Sequence, residues 1–395
     1  MDFSLTSEQE QLRYDIREFL EDELKQGSFK VQEDSWMTGF SREFSRKLAG
    51  RGWIGMTYPK EYGGSGRSYL DRLIVSEELL RYGAPVRAHW TGDRQVGPGL
   101  LKYGTESQKK ELLAGIISGE LSFSLGFSEP DAGSDMASLK TAAIADGDVF
   151  VINGQKVWTS AAAVADYIYL LARTDPQAPK KQWGLSLLLV PVTLPGITIR
   201  PLLDIAGHYH YAEIFFDNVR LPKTALLGEE GRGWNQVGES LAYERAGIER
   251  LMTNYPLYEN LFKYVKETNI NGSRLSKVPW IRSTLADLTM KFEVAYNLLY
   301  RATWMLDRIP ETGYIPNWET AMTKAFSNDF EQELANVATK IAGLYGGLAE
   351  GCKWAPFGGM IGRSYLFSPG YSLQGGTPEI LRGIVATAGL GLPRR

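Results

Sequence analysis

The sequence predicts an α+β protein of several domains, in which a helical part is followed by an antiparallel β-sandwich or barrel and then by a second helical part. Apolar residues repeat at helical spacing in the first third of the chain and again after Gly233. Short β-type runs, punctuated by proline and glycine, fill the stretch between. Because no long helical pattern separates those runs, an antiparallel arrangement is favoured over a parallel sheet. The expected domains are residues 1–121, 122–233 and 234–395.

The first helix is predicted to begin directly after Thr6. Thr6 and Ser7 are each followed three residues later by Gln9 and Glu10, which is the pattern of a capping box. An apolar stripe at helical spacing comes next, made of Leu12, Ile16, Phe19, Leu20 and Leu24. Similar patterns predict further helices over residues 41–49, 70–82 and 107–119.

The middle part is predicted to consist of β-strands. A run of β-branched and aromatic residues over 149–152 meets Asn153-Gly154, the strongest short signal for a hairpin turn. Further strands are predicted over residues 167–173, 185–192, 197–202 and 213–216. In the last part, long helical patterns cover residues 240–268, 281–308 and 317–346, and a shorter one covers 378–388.

Composition excludes several classes of protein. With 43 basic and 46 acidic residues, the formal net charge is −3, so no nucleic-acid or membrane partner is expected on electrostatic grounds. The single cysteine excludes an internal disulfide framework. Apolar runs are far shorter than the ~20 residues of a membrane-spanning helix. Because neither end of the sequence shows a secretory or peroxisomal signal, a cytoplasmic location is expected.

Glu244 is the most informative single residue. If the helix over residues 240–268 is continuous, Glu244 shares a face with apolar Leu251 and Met252. A carboxylate on an apolar face suits a general base that removes a proton from carbon. The alternative is a structural acid that is stabilised by the helix dipole or paired with Arg245, and the spacing alone favours this alternative.

Three loops carry small polar side chains that suit a bound cofactor. Residues 128–135 read Ser-Glu-Pro-Asp-Ala-Gly-Ser-Asp, a tight turn with exposed backbone donors. Residues 158–160, Trp-Thr-Ser, combine a flat aromatic face with short donors. Residues 374–377, Gln-Gly-Gly-Thr, precede the last helix, whose first amides could face a ligand. Each loop also has a structural explanation, namely an ordinary turn, a core tryptophan and a helix cap.

Two histidines near the end of the middle part raise the question of a metal site. His208 and His210 are two residues apart, so on a strand they would share a face. His89 is the only other histidine in the sequence. We therefore expect no metal site.

Four motifs in chain order resemble the acyl-CoA dehydrogenase family, and the match covers essentially the whole chain. They are residues 127–135 (Phe-Ser-Glu-Pro-Asp-Ala-Gly-Ser-Asp), 153–160 (Asn-Gly-Gln-Lys-Val-Trp-Thr-Ser), 215–222 (Phe-Phe-Asp-Asn-Val-Arg-Leu-Pro) and 375–380 (Gly-Gly-Thr-Pro-Glu-Ile). The family has a helical domain, a β domain and a C-terminal four-helix bundle. The resemblance implies FAD as cofactor, dehydrogenation of an acyl-CoA thioester between its α and β carbons, and an electron-transfer flavoprotein as acceptor.

The resemblance also implies roles for individual residues. Cofactor contacts are expected from Phe127, Ser128, Ser134, Trp158, Thr159, Ser160, Thr377 and Glu379. Substrate contacts are expected from Ser134, Arg245 and Gly376.

At the catalytic base the sequence departs from the common family pattern. Many members carry the base as the glutamate of a Tyr-Glu-Gly-Thr segment, but the matching position here is Gly375, which cannot remove a proton. A smaller branch, which includes the isovaleryl and long-chain types, carries the glutamate just before an arginine in the long helix. Glu244-Arg245 is similar to that branch, so the resemblance identifies Glu244 as the expected base.

A second departure concerns subunit contacts. Most members have an Arg-x-x-Phe-Gly segment that reaches the flavin of the neighbouring subunit, whereas residues 268–272 read Thr-Asn-Ile-Asn-Gly. Residues 343–347 read Gly-Leu-Tyr-Gly-Gly and lack the usual glutamine before the glycine pair. A homotetramer is expected, with a heterotetramer that shares its sites as the alternative.

Other functions on the same fold stay open at this point. A non-catalytic or half-site subunit would explain the missing contacts, and an acyl-CoA oxidase or flavin monooxygenase would use oxygen instead of a protein acceptor. The acyl group is also open between straight, ring-bearing and dicarboxylic types. Arg87 and Arg94 lie in a segment that borders the acyl pocket in the family, where an arginine could bind a carboxylated tail.

Overall fold

The computed structural model describes residues 4–270 and 272–393. The expectations about the two chain ends and about segment 268–272 also involve residues outside this range. These residues are Met1, Asp2, Asn271, Arg394 and Arg395.

The described helices lie mainly before residue 118 and after residue 232. They are α1 (Ser7–Lys25), α2 (Ser35–Thr38), α3 (Arg42–Gly50), α4 (Tyr69–Arg81), α5 (Arg87–Thr91), α6 (Gly97–Tyr103), α7 (Glu106–Gln108), α8 (Ala114–Ile117), α9 (Gly233–Arg245), α10 (Glu249–Met252), α11 (Tyr255–Glu267), α12 (Pro279–Asp307), α13 (Ile309–Thr312), α14 (Asn317–Ala342), α15 (Met360–Leu373) and α16 (Pro378–Ile384). Turns of π-helix join or extend some of them, at Gly92–Val96, Lys109–Leu113 and Val385–Gly389.

The strands lie mainly in the middle of the chain. They are β1 (Phe123–Gly126), β2 (Ala142–Asp146), β3 (Val149–Lys156), β4 (Tyr167–Arg173), β5 (Leu185–Pro191), β6 (Ile197–Leu202), β7 (Tyr211–Pro222), β8 (Leu226–Leu227), β9 (Asn269–Ile270) and β10 (Ser273–Arg274). This order of elements confirms the predicted plan of a helical, a β and a second helical part.

The chain forms two compact units. The helical unit comprises residues 1–36, 69–84 and 245–395, as far as they are described, and the β unit comprises residues 37–68 and 85–244. The domain boundaries at residues 121/122 and 233/234 stay a prediction.

In the helical unit, α1 begins as the sequence predicts. Thr6 Oγ1 accepts a hydrogen bond from the Gln9 amide at 3.2 Å, and Gln9 Oε1 accepts one from the Thr6 amide at 3.2 Å, so the capping box is complete. The stripe that includes Ile16 and Leu20 is buried. The helix packs against α4, where Arg17 forms a salt bridge of 2.7 Å with buried Glu78. Further along the chain, α14 packs against α12, α15 and α16.

The β unit contains a mainly antiparallel sheet. Its strand order is β6-β7-β3-β2-β4-β5-β8, and β1 pairs with β4 in parallel. The two strands of the parallel pair are separated along the chain by two other strands, so local patterns gave no sign of it. Alternate residues of the strands point inward and form an apolar core that includes Phe150, Ile168, Leu188 and Ile214.

The hairpin turn predicted at Asn153-Gly154 is wrong. Strand β3 continues through both residues, and the turn lies upstream, because Asp146 pairs directly with Val149. Gly154 has φ +147° and lies where the register between β3 and β7 shifts, which is typical of a β-bulge. The Asp-Gly pair at residues 146–147 was the competing hairpin signal.

The single helix predicted over residues 240–268 is interrupted twice. Helix α9 ends at Arg245, and α11 begins only at Tyr255. Gly247 falls in the first interruption, and Pro256 follows the second. Glycine weakens a helix by about 1 kcal/mol relative to alanine, and proline lacks the amide hydrogen that would continue the ladder.

Sequence patterns also missed five of the described helices, namely α2, α5, α6, α13 and α15. Helices α5 and α6 lie in a stretch with several glycines, and α15 contains Pro369, so their periodicity is weak. Among the described residues, no helix combines the length and the apolar composition that a membrane crossing requires.

Candidate active site

Phe127 and Ser128 begin a loop that leaves β1 in the β unit. The Val157 amide donates to Ser128 O at 2.9 Å, and Glu129 and Ala132 exchange backbone hydrogen bonds of 3.0 and 3.1 Å. The loop is thereby held against the residues that follow β3. Ser134 lies further along the same loop and is exposed.

A buried ion pair fixes the beginning of this loop. Lys156 Nζ donates to Phe127 O at 3.0 Å and to Glu129 Oε1 at 2.9 Å. Glu129 also accepts the backbone amides of Lys140 and Thr141, at 2.6 and 2.8 Å. Burial lowers the pKa of Lys156 to about 8, against the opposing effect of Glu129. Both groups are therefore charged at neutral pH, and removal of either partner costs about 3–5 kcal/mol.

Trp158, Thr159 and Ser160 follow β3 in an unusual backbone conformation. Thr159 and Ala212 exchange backbone hydrogen bonds, both of 3.1 Å, so this segment pairs with the start of β7. Trp158 has φ +59°, and Ala161 has φ +57°. Non-glycine residues in the left-handed region are strained, and such strain is concentrated at functional sites.

The Trp158–Ser160 segment fits a flat ring with polar edges. The indole of Trp158 is 62% exposed and meets Tyr211 edge-on, with the ring centroids 5.8 Å apart. Thr159 Oγ1 is buried and has no hydrogen-bond partner among the described residues. An unsatisfied buried hydroxyl costs about 1–3 kcal/mol, so a ligand that bonds to it would recover that energy. The segment can therefore hold the edge of a flavin ring.

Ser160 is positioned through its backbone carbonyl. Ser160 O accepts hydrogen bonds from Arg87 Nη2 and from Ser124 Oγ, both at 2.8 Å. Arg87 is buried, and its Nη1 donates to Thr91 Oγ1 at 2.6 Å. Burial lowers the pKa of Arg87 to about 10, so the guanidinium keeps its charge at neutral pH. In this arrangement Arg87 supports Ser160 instead of facing a carboxylated ligand.

Glu244 lies in the last turn of α9 and is 8% exposed. Because the helix ends one residue later, the prediction that Glu244 shares one helical face with Leu251 and Met252 is wrong. The carboxylate is buried nevertheless. Glu239, on the same helix, accepts hydrogen bonds from Lys102 Nζ and the Tyr103 hydroxyl.

Arg245 and Gly376 are brought together in the helical unit. Arg245 Nε donates to Gly375 O, and Arg245 Nη1 donates to Asn317 Oδ1, both at 3.4 Å. Gly376 has φ +111°, and its carbonyl accepts a hydrogen bond of 2.9 Å from buried Lys324 Nζ. A Cβ at residue 376 would lie 3.5 Å from Arg245 Nη2, so Gly376 lies directly beside the buried guanidinium.

Thr377 and Glu379 begin α16 in the helical unit. Thr377 Oγ1 accepts the Ile380 amide at 3.4 Å and so serves as the N-cap. Glu379 is exposed, and hydrogen bonds with its own backbone amide and with Thr377 place its pKa below the usual range. A carboxylate in the first turn also stabilises the helix dipole.

Sequence reasoning missed the residues that support this site. Glu129 and Lys156 belong to the quoted motifs, but their pairing was not foreseen, and Arg87 was considered only as a ligand-binding group. The missed signal was the alternation of β3 itself. Lys156 has the same parity as buried Phe150 and Ile152, so it points to the same inner face of the sheet.

Family models match along nearly the whole chain. Those described as the N-terminal, middle and C-terminal domains of acyl-CoA dehydrogenases match residues 6–120, 124–219 and 231–390.

Individual relatives and solved structures agree with these matches. Acyl-CoA dehydrogenase FadE26 of Mycobacterium tuberculosis is 32% identical over 401 residues, which cover 100% of this chain and 99% of that protein. A solved structure described as the Tcur3481-Tcur3483 steroid ACAD superposes with a TM-score of 0.88 at 32% identity and covers 100% of both chains. The ChsE4-ChsE5 complex from Mycobacterium tuberculosis has a TM-score of 0.84 at 32% identity, again with 100% of both chains covered.

Proposed function

The chain belongs to the acyl-CoA dehydrogenase family, whose members are FAD-dependent oxidoreductases, and we propose that Glu244 is its catalytic base. In this proposal the enzyme converts an acyl-CoA thioester into the trans-2-enoyl-CoA, and Glu244 takes the proton from the α-carbon. FAD, when bound, supplies the acceptor for the hydride from the β-carbon.

One observation carries the assignment of the base. Glu244 is a buried carboxylate that stands directly before buried Arg245, while Gly375, at the usual base position, has no side chain that could take a proton. A carboxylate that is shielded from water needs less solvent reorganisation when it accepts a proton from carbon. This combination favours Glu244 as the base over the structural alternative, in which its carboxylate only stabilises the helix dipole or pairs with Arg245.

The cofactor contacts are proposed to come from the loops around β3. Trp158 would pack beside the flavin ring, Thr159 Oγ1 would gain the partner that it lacks among the described residues, and Ser160 would donate near the reactive edge. The loop with Phe127 and Ser128 would run along the ring, held in place by Lys156.

The remaining predicted residues are proposed to bind the outer parts of the ligands. Arg245 and Gly376 lie side by side, so both would contact the same part of a bound ligand. Thr377 and Glu379 at the start of α16 are proposed to lie near the cofactor, and exposed Ser134 would reach either the cofactor or the CoA arm.

Replacement of the base tests the proposal. Glu244→Gln keeps the size and hydrogen-bonding capacity of the side chain but removes its ability to take a proton. We expect the variant to keep its flavin and to bind acyl-CoA, with turnover lower by at least about 10³-fold, in the range of a lost general base. Single-turnover reduction of the flavin under anaerobic conditions measures this step directly.

Glu239→Gln is the matched control. Glu239 lies on the same helix, but its carboxylate is already bonded to Lys102 and Tyr103, so flavin reduction in this variant should stay within a few-fold of the unchanged protein. Normal turnover of the Glu244→Gln protein would show that another group is the base.

For the acyl group we propose a ring-bearing substrate of the steroid type. The support is the likeness over the full chain to a structure described as a steroid ACAD. A dicarboxylic acyl group is less well supported, because the terminal nitrogens of Arg87 already donate to Thr91 and Ser160, and Arg94 stacks its guanidinium 3.9 Å from the centre of the Trp90 ring.

As electron acceptor we propose an electron-transfer flavoprotein. An acyl-CoA oxidase would consume oxygen stoichiometrically with substrate, so an oxygen electrode separates the two. A flavin monooxygenase needs no carboxylate base, and the buried Glu244 therefore argues against that alternative.

A shared assembly with a related subunit is our second proposal. The flavin-reaching Arg-x-x-Phe segment common in the family is missing at residues 268–272, and similar structures include the ChsE4-ChsE5 complex. These two observations shift our proposal from the expected homotetramer to a heteromer in which this chain carries Glu244. A fully non-catalytic subunit would not require that residue.

A further inference from the structure

A cluster of three side chains of metal-binding types, one aspartate and two histidines, lies on the connection from β6 to β7 in the β unit. Asp204 Oδ2 lies 3.6 Å from His210 Nε2, and Asp204 Oδ1 lies 4.0 Å from His208 Nδ1. The two imidazole rings stack with their centroids 4.7 Å apart. One ligand atom from each residue lies within 4.8 Å of the others. Tetrahedral ligands of one Zn²⁺ ion lie about 3.3 Å apart, so rotation of the side chains would bring the three atoms onto one ion.

The backbone of the connection holds Asp204 in this position. Asp204 Oδ1 accepts the amides of Ala206 and His208, each at 2.9 Å, and the Asp204 amide donates to His208 O at 2.8 Å. One carboxylate oxygen is therefore used to build the loop, and the second is directed at His210. The side chains of Asp204 and His210 are 10% and 9% exposed, whereas that of His208 is 37% exposed.

Two polar atoms of the cluster are buried without a hydrogen bond. Asp204 Oδ2 and His208 Nδ1 have no hydrogen-bond partner among the residues that the structure describes. Leaving such atoms unsatisfied is unfavourable by about 1–3 kcal/mol each, so we expect them to have a partner other than the described residues. A cation that accepts lone pairs from both atoms would satisfy them together.

We propose that Asp204, His208 and His210 bind a divalent transition metal, best Zn²⁺. Two imidazole nitrogens and one carboxylate oxygen form a ligand set that suits Zn²⁺, whereas Ca²⁺ and Mg²⁺ prefer oxygen ligands. Each of the three residues offers one ligand atom to a shared ion.

The proposed site departs from the expectation that the sequence gives no metal site. That expectation considered only histidines as ligands, and His89, the third one, lies elsewhere, hydrogen-bonded to Ser45 at 2.8 Å. The third ligand is instead Asp204, four residues before His208, which the turn brings back to the histidine pair.

The position of the site suggests its effect. His210 O accepts the Ala161 amide at 2.9 Å, directly after the Trp158–Ser160 segment. A metal that joins Asp204 to both histidines would therefore rigidify the strand start on which that segment rests. Its role would be structural, since the proposed base belongs to a different element.

Metal binding to the flavin-loaded protein tests the proposal. After treatment with a chelator and dialysis, the protein is titrated with Zn²⁺ by isothermal calorimetry, and bound zinc is counted by elemental analysis. We expect one zinc per chain, and X-ray absorption should show nitrogen and oxygen ligands at about 2.0–2.1 Å.

Three variants and one control make the assignment specific. Asp204→Asn keeps the loop-building oxygen, and His208→Asn and His210→Asn each remove one imidazole; each should weaken zinc binding at least tenfold. Tyr209→Phe, between the two histidines and 67% exposed, should bind as the unchanged protein does. If one variant fails to fold, as judged by lost flavin, the other two decide. The absence of stoichiometric binding, or equal binding by all variants, would overturn the proposal.

Discussion

His89 links the protonation of one residue to the stability of the β unit. It is buried, and its Nδ1 lies 2.8 Å from Ser45 Oγ. Burial, together with the nearby Arg94 guanidinium, lowers its pKa from 6.5 to about 3. The folded protein therefore holds this imidazole neutral over a pH range in which the unfolded chain binds a proton.

From this difference the direction of the pH effect follows. Between pH 6.5 and pH 3 the unfolded state binds more protons at this position than the folded state does. The contribution of His89 to the free energy of unfolding is therefore complete above pH 6.5 and is lost as the pH falls. At pH 5 the loss is about 2 kcal/mol. His89→Asn, which can still bond to Ser45, should remove that part of the pH dependence.

Urea unfolding at pH 7 and pH 5 measures the effect. From pH 7 to pH 5, the free energy of unfolding of the asparagine variant should fall by about 2 kcal/mol less than that of the unchanged protein. Parallel losses in the two proteins would mean that His89 becomes protonated in the folded state at an ordinary pH.

At the scale of elements, strand β3 connects the sheet to the candidate site. Gly154 lies opposite the register shift in β7, and a Cβ there would come within 2.6–2.8 Å of Thr141, including its Cα. Two residues further along the same face, Lys156 points inward and reaches Glu129 and the carbonyl of Phe127. The strand thus carries both a glycine that admits the close approach of Thr141 and the buried lysine that holds the loop proposed to bind flavin.

Gly154→Ala should therefore destabilise the protein more than Gly147→Ala. Gly147, in the β2–β3 turn, has φ +59° and open space around its Cα, so alanine there adds only the strain of a left-handed residue, about 1 kcal/mol. At residue 154 the crowding against Thr141 adds about 1–3 kcal/mol. Equilibrium unfolding of both variants gives the comparison; equal losses would show that the sheet accommodates the extra methyl group.

At the scale of the whole molecule, assembly decides how many active sites the protein has. The departures at residues 268–272 and 343–347 fall where family members contact the flavin of a neighbouring subunit. If this chain shares its sites with a related subunit, the purified chain should bind little flavin alone. Co-expression with the related subunit should yield about one flavin for each pair of chains.

Flavin content and light scattering test this prediction, and a panel of thioesters extends it to the substrate. Under anaerobic conditions, bleaching of the flavin band by a steroid-type thioester, with straight-chain and dicarboxylic thioesters as controls, would support the proposed acyl group. A homotetramer with one flavin per chain would instead support the homotetramer that the sequence predicts.

Local patterns were sufficient for much of this protein. The capping box at Thr6, the strand over residues 167–173 and the helix over 279–307 follow from periodicity and caps, because each depends on neighbours along the chain. The four motifs were likewise sufficient for the family, since they occur in order over the whole length. The sequence alone also shows that Gly375, at the usual base position, has no side chain that could take a proton.

Only the tertiary structure decided the features that depend on distant residues. The bulge at Gly154 arises from pairing with β7, and the Lys156–Glu129 pair needs the loop after β1 to return to the end of β3. The interruption after Arg245 replaced a helical face that the spacing had predicted, yet packing still buried Glu244. A turn places Asp204 next to the two histidines, and the hydrogen bonds of a turn produce no periodic pattern in the sequence. Periodicity reports which face of an element is apolar, whereas the partner of a buried charge is chosen by the fold.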